Sequence, residues 1–233
     1  MKLVPLGDQA VLAHLPDERA AVAFAALVRE ANPPWLFDVV PAYASVGVFF
    51  DPDAVTVQEA RGWLEALAPP SADPGSRLNE GGRAFTIPAC YEMQLDLARV
   101  AEHTHLSPDD IIARHSAATY TVYAIGFVPG FPYMGYLPDS LCGVGRLPSP
   151  RLRVEPGSVG LTGRQTGIYP LPRPGGWNII GRTPLTIVDV ADGFFPLRVG
   201  DTVRFARIDE KRYRELEGER LSPAEVTPPQ PLP

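Results

Sequence analysis

Residues 126–136 read GFVPGFPYMGY, and they decide how the rest of the chain is organised. Eleven positions hold four aromatics, three glycines and two prolines. Proline fixes φ, and glycine reaches conformations closed to other residues. Such a stretch is expected to be neither a regular helix nor a central strand. It reads as a shaped loop that aims Phe127, Phe131, Tyr133 and Tyr136 in set directions. Residues 169–182, YPLPRPGGWNIIGR, have the same character. Two rigid aromatic loops suggest the wall of a pocket. Equally, they could be tight β-barrel corners plugged by aromatic rings.

Upstream of this stretch, residues 119–125 are β-branched and aromatic and predict a strand. Before it, Ser107-Pro108-Asp109-Asp110 is a helix start, with Ser107 as N-cap, Pro108 first in the helix and Asp110 able to close a capping box. That helix should run to about Ala117 and present His115 near its C-terminal end. Residues 95–103 predict another helix, and residues 84–90 a strand. Downstream, short strands separated by glycine and proline suggest a β-barrel. Residues 203–208 predict a closing strand, and 209–217 a charged helix.

The N-terminal part has a different grammar. Two short strands flank Gly7-Asp8, and a helix over 17–30 has Ala20, Phe24, Leu27 and Val28 at helical spacing. Two strands over 37–50 are expected to break near Pro41, and a second helix spans 56–67. The expected organisation is an α+β domain at 1–68, a Pro/Gly-rich linker at 69–83, a barrel domain at 84–217 and a proline-rich tail at 218–233.

Composition narrows the function. The net charge of −6 argues against nucleic acid as the main partner. No signal peptide or membrane-spanning run is read, and two cysteines give no disulfide framework, so the expected compartment is the cytoplasm. Lys2 and Lys211 are the only lysines, and neither lies in a glycine-rich loop, which excludes a Walker A motif. His103 and His105 are two apart and face different sides of a helix, so no metal site is expected.

Among chemically capable groups, His115 stands out by its closeness to Tyr120, Tyr123 and the aromatic loop, although a histidine near a helix C-terminus also suits the macrodipole. Arg146, Arg151, Arg153, Arg164 and Arg182 flank the glycine-rich segments. A guanidinium fork suits a carboxylate or phosphate, and equally an ordinary surface ion pair. The turns at 157–160 and 163–167 could offer backbone N–H groups to an anion. Ser158 is not in a nucleophile elbow, because position 156 is proline where that motif needs glycine.

A resemblance rests on an ordered set of segments. His115, Tyr120 and Tyr123 come first, then GFVPGFPYMGYLP, then LPSPRLRVEPGSVGLTGRQTGIYPLPRPGGWNIIGRTPL, then GDTVRF. From about Phe85 to about Ile208 this resembles the 5-oxoprolinase B-subunit family, also called allophanate hydrolase subunit 1 or the sporulation-kinase inhibitor family. One departure is EMQLDL after Tyr91, where the family often carries Gly-Pro before Asp-Leu. The resemblance implies a cyclophilin-like β-barrel for residues 84 to about 210. It implies one component of an ATP-dependent 5-oxoprolinase, which opens the lactam of 5-oxoproline to L-glutamate together with C-type and A-type subunits. Similar paired domains share one carboxyltransferase-type site in urea carboxylases. On that footing the chain is a half-site. Phe131, Tyr133 and Trp177 would shape the pocket, Arg151 and Arg182 would hold a carboxylate or phosphate, and His115 would orient a group or transfer a proton. ATP would bind at the level of the complex. The family's other names imply two rivals: a protein that inhibits a sensor histidine kinase, and a component of an allophanate hydrolase.

Overall fold

The computed structural model describes residues 1–67 and 82–223. The chain divides into two compact units, Met1–Gly82 and Arg83–Pro233. The expected linker falls largely on 68–81, outside the described residues.

The first unit has strands β1 (Lys2–Pro5), β2 (Ala10–His14), β3 (Leu36–Ala42) and β4 (Ser45–Phe50), and helices α1 (Glu18–Ala31) and α2 (Val57–Leu67). The strands form one antiparallel sheet in the order β1-β2-β4-β3. Helix α1 begins where the Asp17 carboxylate accepts the Ala20 N–H at 2.8 Å. It ends where Asn32 turns left-handed and returns its N–H to Val28. Its apolar stripe, Ala21, Phe24, Ala25 and Val28, packs on Val11, Val39, Val46, Val48 and Phe50. The break expected near Pro41 comes two residues further on. Pro41 stays in β3 opposite Val46, and the turn comes later, at Tyr43. The reason is that β3 is an edge strand, so the missing proline N–H costs no ladder bond.

The second unit has seven strands that close into a barrel: β5 (Ala84–Cys90), β6 (Thr119–Ile125), β7 (Pro132–Gly135), β9 (Ser158–Thr162), β10 (Gln165–Ile168), β12 (Asn178–Arg182) and β13 (Thr202–Ile208). Their order around the barrel is β10-β7-β6-β13-β5-β12-β9. Strands β8 (Arg151–Val154) and β11 (Arg173–Gly175) form a separate two-stranded ribbon. Helices α3 (Leu97–Thr104), α4 (Pro108–Ala117) and α5 (Glu210–Leu216) complete the unit. β13 pairs with β5 in parallel, Thr202 opposite Ala84 through Ile208 opposite Cys90; all other barrel pairs are antiparallel.

One cluster draws Phe85, Val122, Met134, Leu161, Ile168, Ile180 and Phe205 from all seven strands, which only a barrel interior permits. Helix α4 starts as expected: Ser107 caps the Asp110 N–H at 3.1 Å with Pro108 in the first turn. Helix α3 starts two residues later than expected, because the N–H groups of Leu95 and Asp96 both bond the Ile179 carbonyl.

The loop expected over 126–136 holds only as far as Phe131. Residues Pro132–Gly135 are β7, a full member of the barrel between β6 and β10. Proline is tolerated as the first residue of a strand, so Pro132 opens β7 rather than forbidding it. The second stretch likewise contributes two strands, β11 and β12. The tail expected from residue 218 is packed in part where it is described. Leu221 is buried, and its N–H donates to the Thr186 carbonyl. Residues 224–233 lie outside those described.

Candidate functional site

Strand alternation creates the site. On β9, Val159 and Leu161 face the barrel interior, and on β10 and β12 so do Ile168 and Ile180. Gly160, Gly167 and Ile179 therefore face outward, where a separate cluster of Phe131, Val154, Tyr169, Trp177 and Ile179 sits, joined by Val128 and Tyr133. Two glycines make the floor. A Cβ on Gly167 would stand 3.0 Å from the Phe131 ring and 3.1 Å from the Trp177 ring; one on Gly160 would stand 3.2 Å from the Trp177 Cβ. A third, Gly175, leaves room for the Tyr169 ring.

The rings meet edge to face. Phe131 lies 4.9 Å from Tyr133, 5.2 Å from Tyr169 and 5.4 Å from Trp177 between centroids. Such pairs contribute about 1 kcal/mol each beyond their buried area. Phe127 completes the group, 5.5 Å from Phe131, yet is 56% exposed. Its φ of 64° is left-handed, an uncommon state for a non-glycine residue. Phe131, Tyr133 and Trp177, singled out from sequence, are thus in one cluster.

Arg151 belongs to the same neighbourhood. It opens β8 opposite Gly175 of β11 and reaches Asp96 Oδ1 at 2.6 Å. The other Asp96 oxygen accepts the Ile179 N–H at 2.7 Å. Arg151 Nη1 is buried and has no hydrogen-bond partner. Arg182 lies farther along the chain, opposite Ser158 of β9. It ends β12 while Trp177 precedes its start, about 15 Å of extended chain apart. Its Nε donates to the Pro156 carbonyl, and its charge acts on Tyr213 and Glu155.

His115 is buried in the interior and does not touch the aromatic cluster. Its Nδ1 is 2.8 Å from the Tyr91 hydroxyl and its Nε2 is 3.0 Å from Thr166 Oγ1. The Thr166 hydroxyl donates its one proton to the Gly160 carbonyl at 3.0 Å. It must then accept from His115, so Nε2 carries the proton and Nδ1 accepts from Tyr91. Burial pushes the imidazole down from 6.5 to about 3, so it is neutral at physiological pH. A chain of donors therefore runs from Tyr91 through His115 and Thr166 to Gly160, which floors the aromatic cluster.

Asp96, Tyr169, Thr166 and Asn178 also build the site, and sequence reasoning does not single them out as functional groups. Asn178 is fully buried; it accepts from Arg99 Nε at 3.0 Å and donates to the carbonyls of Gly145 and Leu161. A polar residue inside the apolar run WNII was the available signal. Burial raises the phenols of Tyr133 and Tyr169, and Arg146 opposes the rise in both. Burial also raises the thiols of Cys90 and Cys142, which keeps them protonated. Among the described residues no group of three or more potential ligands could hold a metal ion, and no helix is long and apolar enough to cross a membrane.

Residues 1–193 match the family described as carboxyltransferase domain, subdomain C and D. The fold is shared with the urea amidolyase of Kluyveromyces lactis, at TM-score 0.69 and 15% identity over 94% of this chain and 16% of that one. A crystal structure of the protein TTHA0988 is nearer in sequence, with TM-score 0.74 and 34% identity over 87% of this chain. This chain spans about 40% of that longer one. Two relatives are named as the B subunit of 5-oxoprolinase. That of Bacillus subtilis (strain 168) is 36% identical over 92% of this chain and 95% of its own length. That of Escherichia coli O157:H7 is 40% identical over 76% and 80%. The chain belongs to the 5-oxoprolinase B-subunit family.

Proposed function

We propose that this chain is the B-type subunit of an ATP-dependent 5-oxoprolinase, converting 5-oxoproline to L-glutamate in the cytoplasm. The observation that carries this is the near full-length match to relatives named as the B subunit of 5-oxoprolinase. The chain contributes part of a site shared with C-type and A-type subunits. Opening a lactam needs the amide carbonyl activated, through phosphorylation by ATP, and a water positioned for attack. With two lysines, neither in a glycine-rich loop, this chain has no Walker A motif, and nucleotide binding is assigned to the complex. What the chain supplies is a rigid aromatic face with guanidinium groups at its edge, suited to a small ring bearing a carboxylate. His115 acts by positioning the floor of that face through Thr166, since its neutral, buried ring touches no solvent. Neither the kinase-inhibitor reading nor the allophanate reading gains support from the site geometry or from the relatives' names.

The test is co-expression with candidate A-type and C-type subunits, purification, and assay of glutamate formation from 5-oxoproline. Turnover should need ATP and all the components. Substantial turnover by this chain alone would overturn the shared site, and none by the full complex would overturn the reading.

A further inference from the structure

The strongest unassigned feature is a surplus of positive charge beside the aromatic cluster. Three arginines reach it from three segments. Arg99 on α3 bonds Asn178 through Nε, leaving the rest of its fork unspent on that contact. Arg146 adjoins Gly145, whose carbonyl Asn178 also holds, and its Cβ lies 3.8 Å from the position a Cβ would take on Gly176. The neighbouring Leu147 N–H donates to the Gly176 carbonyl at 2.7 Å, which fixes this segment against the strand leading to Trp177. Arg151 stands opposite Gly175. All three therefore gather around residues 175–178.

Against these three guanidinium groups the ion pairs among the described residues set one carboxylate, Asp96, and it pairs only with Arg151. Arg99 and Arg146 have no carboxylate partner among the described residues. Both are exposed. On Arg151 the Nη2 is taken by Asp96, and the buried Nη1 has no hydrogen-bond partner.

We propose that Arg99, Arg146 and Arg151 form an oxyanion subsite at the edge of the Tyr133–Tyr169–Trp177 face. It takes the planar carboxylate of a small cyclic substrate or a phosphoryl group, both of which match the two-point geometry of a guanidinium fork. Identifying that carboxylate as 5-oxoproline's rests on the proposed function. Arg182, at the far end of β12, is outside the subsite.

The test is calorimetric titration of the full chain with 5-oxoproline and, separately, with inorganic phosphate. One ligand should bind saturably, and the arm that responds identifies the source of the oxyanion. Arg146→Gln should weaken it about tenfold or more, the loss of one charge-assisted hydrogen bond. This variant breaks no ion pair, so a fold defect is not expected. Arg153→Gln, on the same ribbon but paired with Glu155, should bind as the wild type does. Absence of saturable binding by either ligand, or wild-type affinity in both Arg146→Gln and Arg99→Gln, overturns the subsite. The assembled complex separates this from the proposed function. Turnover with unchanged KM in Arg146→Gln overturns the subsite alone. Arginine-dependent binding by a complex without turnover supports the subsite and removes the function.

Discussion

Asp96 holds two elements at once: one carboxylate oxygen binds the Arg151 guanidinium at 2.6 Å, and the other accepts the Ile179 backbone N–H at 2.7 Å. It thereby joins the ribbon strand β8 to the barrel strand β12. Asp96 is 7% exposed, so removing it strands a half-buried cation and a buried N–H. Asp96→Ala should cost about 3 kcal/mol in urea melts. In a double-mutant cycle with Arg151→Ala, a coupling energy of about 1 kcal/mol or more is expected. Simple additivity would show that the pair does not tie the strands together.

His115 should make stability depend on pH. Its folded-state value of about 3 lies below the unfolded value of 6.5. Between those values the unfolded chain binds the extra proton, so stability from this group is present above about 6.5 and is lost as pH falls toward 3. From pH 7 to pH 5.5 the loss should be about 1 kcal/mol. Denaturant midpoints of the wild type and His115→Gln at both pH values test this. The variant should be less stable at pH 7 and should lose less on acidification. Equal acid losses in both proteins would show that the ring is not held neutral.

Trp177 is 4% exposed and packs on Phe131, Tyr133 and the Gly160 backbone. Trp177→Ala should cost about 3 kcal/mol or more, as truncation of a buried aromatic does. A melt little different from wild type, with activity lost, would instead place the indole at the ligand.

Gly167→Ala should be destabilising although it adds one methyl. The new Cβ would stand 2.9 Å from the Pro132 carbonyl oxygen, 3.0 Å from Phe131 and 3.1 Å from Trp177. Overpacking of this kind costs about 1–3 kcal/mol. Near-ultraviolet circular dichroism should change as the rings shift. An unchanged spectrum and midpoint would mean that the floor is looser than these distances imply.

Helices were legible because their signals are local. Ser107-Pro108 fixed the start of α4, and Asp17 that of α1, without help from distant residues. The strand β7 was not, since glycine and proline at 130, 132 and 135 suggest a turn when only neighbours are considered. Pairing to β6 and β10 overrode that preference. The aromatic half of the site could be found from sequence because its rings are concentrated in two stretches. Its charged half was legible only in part, through Arg146 and Arg151, which flank the glycine-rich segments. Arg182 is close to Trp177 in sequence but at the opposite end of a strand, while Asp96 and Arg99 come from a helix some eighty positions earlier. Extended chain separates sequence neighbours, and barrel closure unites distant ones.

The parallel pairing of β5 with β13 has a consequence for synthesis. β5 is the first barrel strand to leave the ribosome and β13 the last, with partners such as Phe85 and Val203 more than a hundred residues apart. The barrel gains its closing ladder only after Ile208 has been made. Until then the β5 edge and the ring of Phe85 lack their mate, the condition in which nascent chains bind chaperones or one another. Such high contact order favours slow folding. A chain cut short before Thr202 would therefore yield an open, adhesive sheet rather than a smaller barrel.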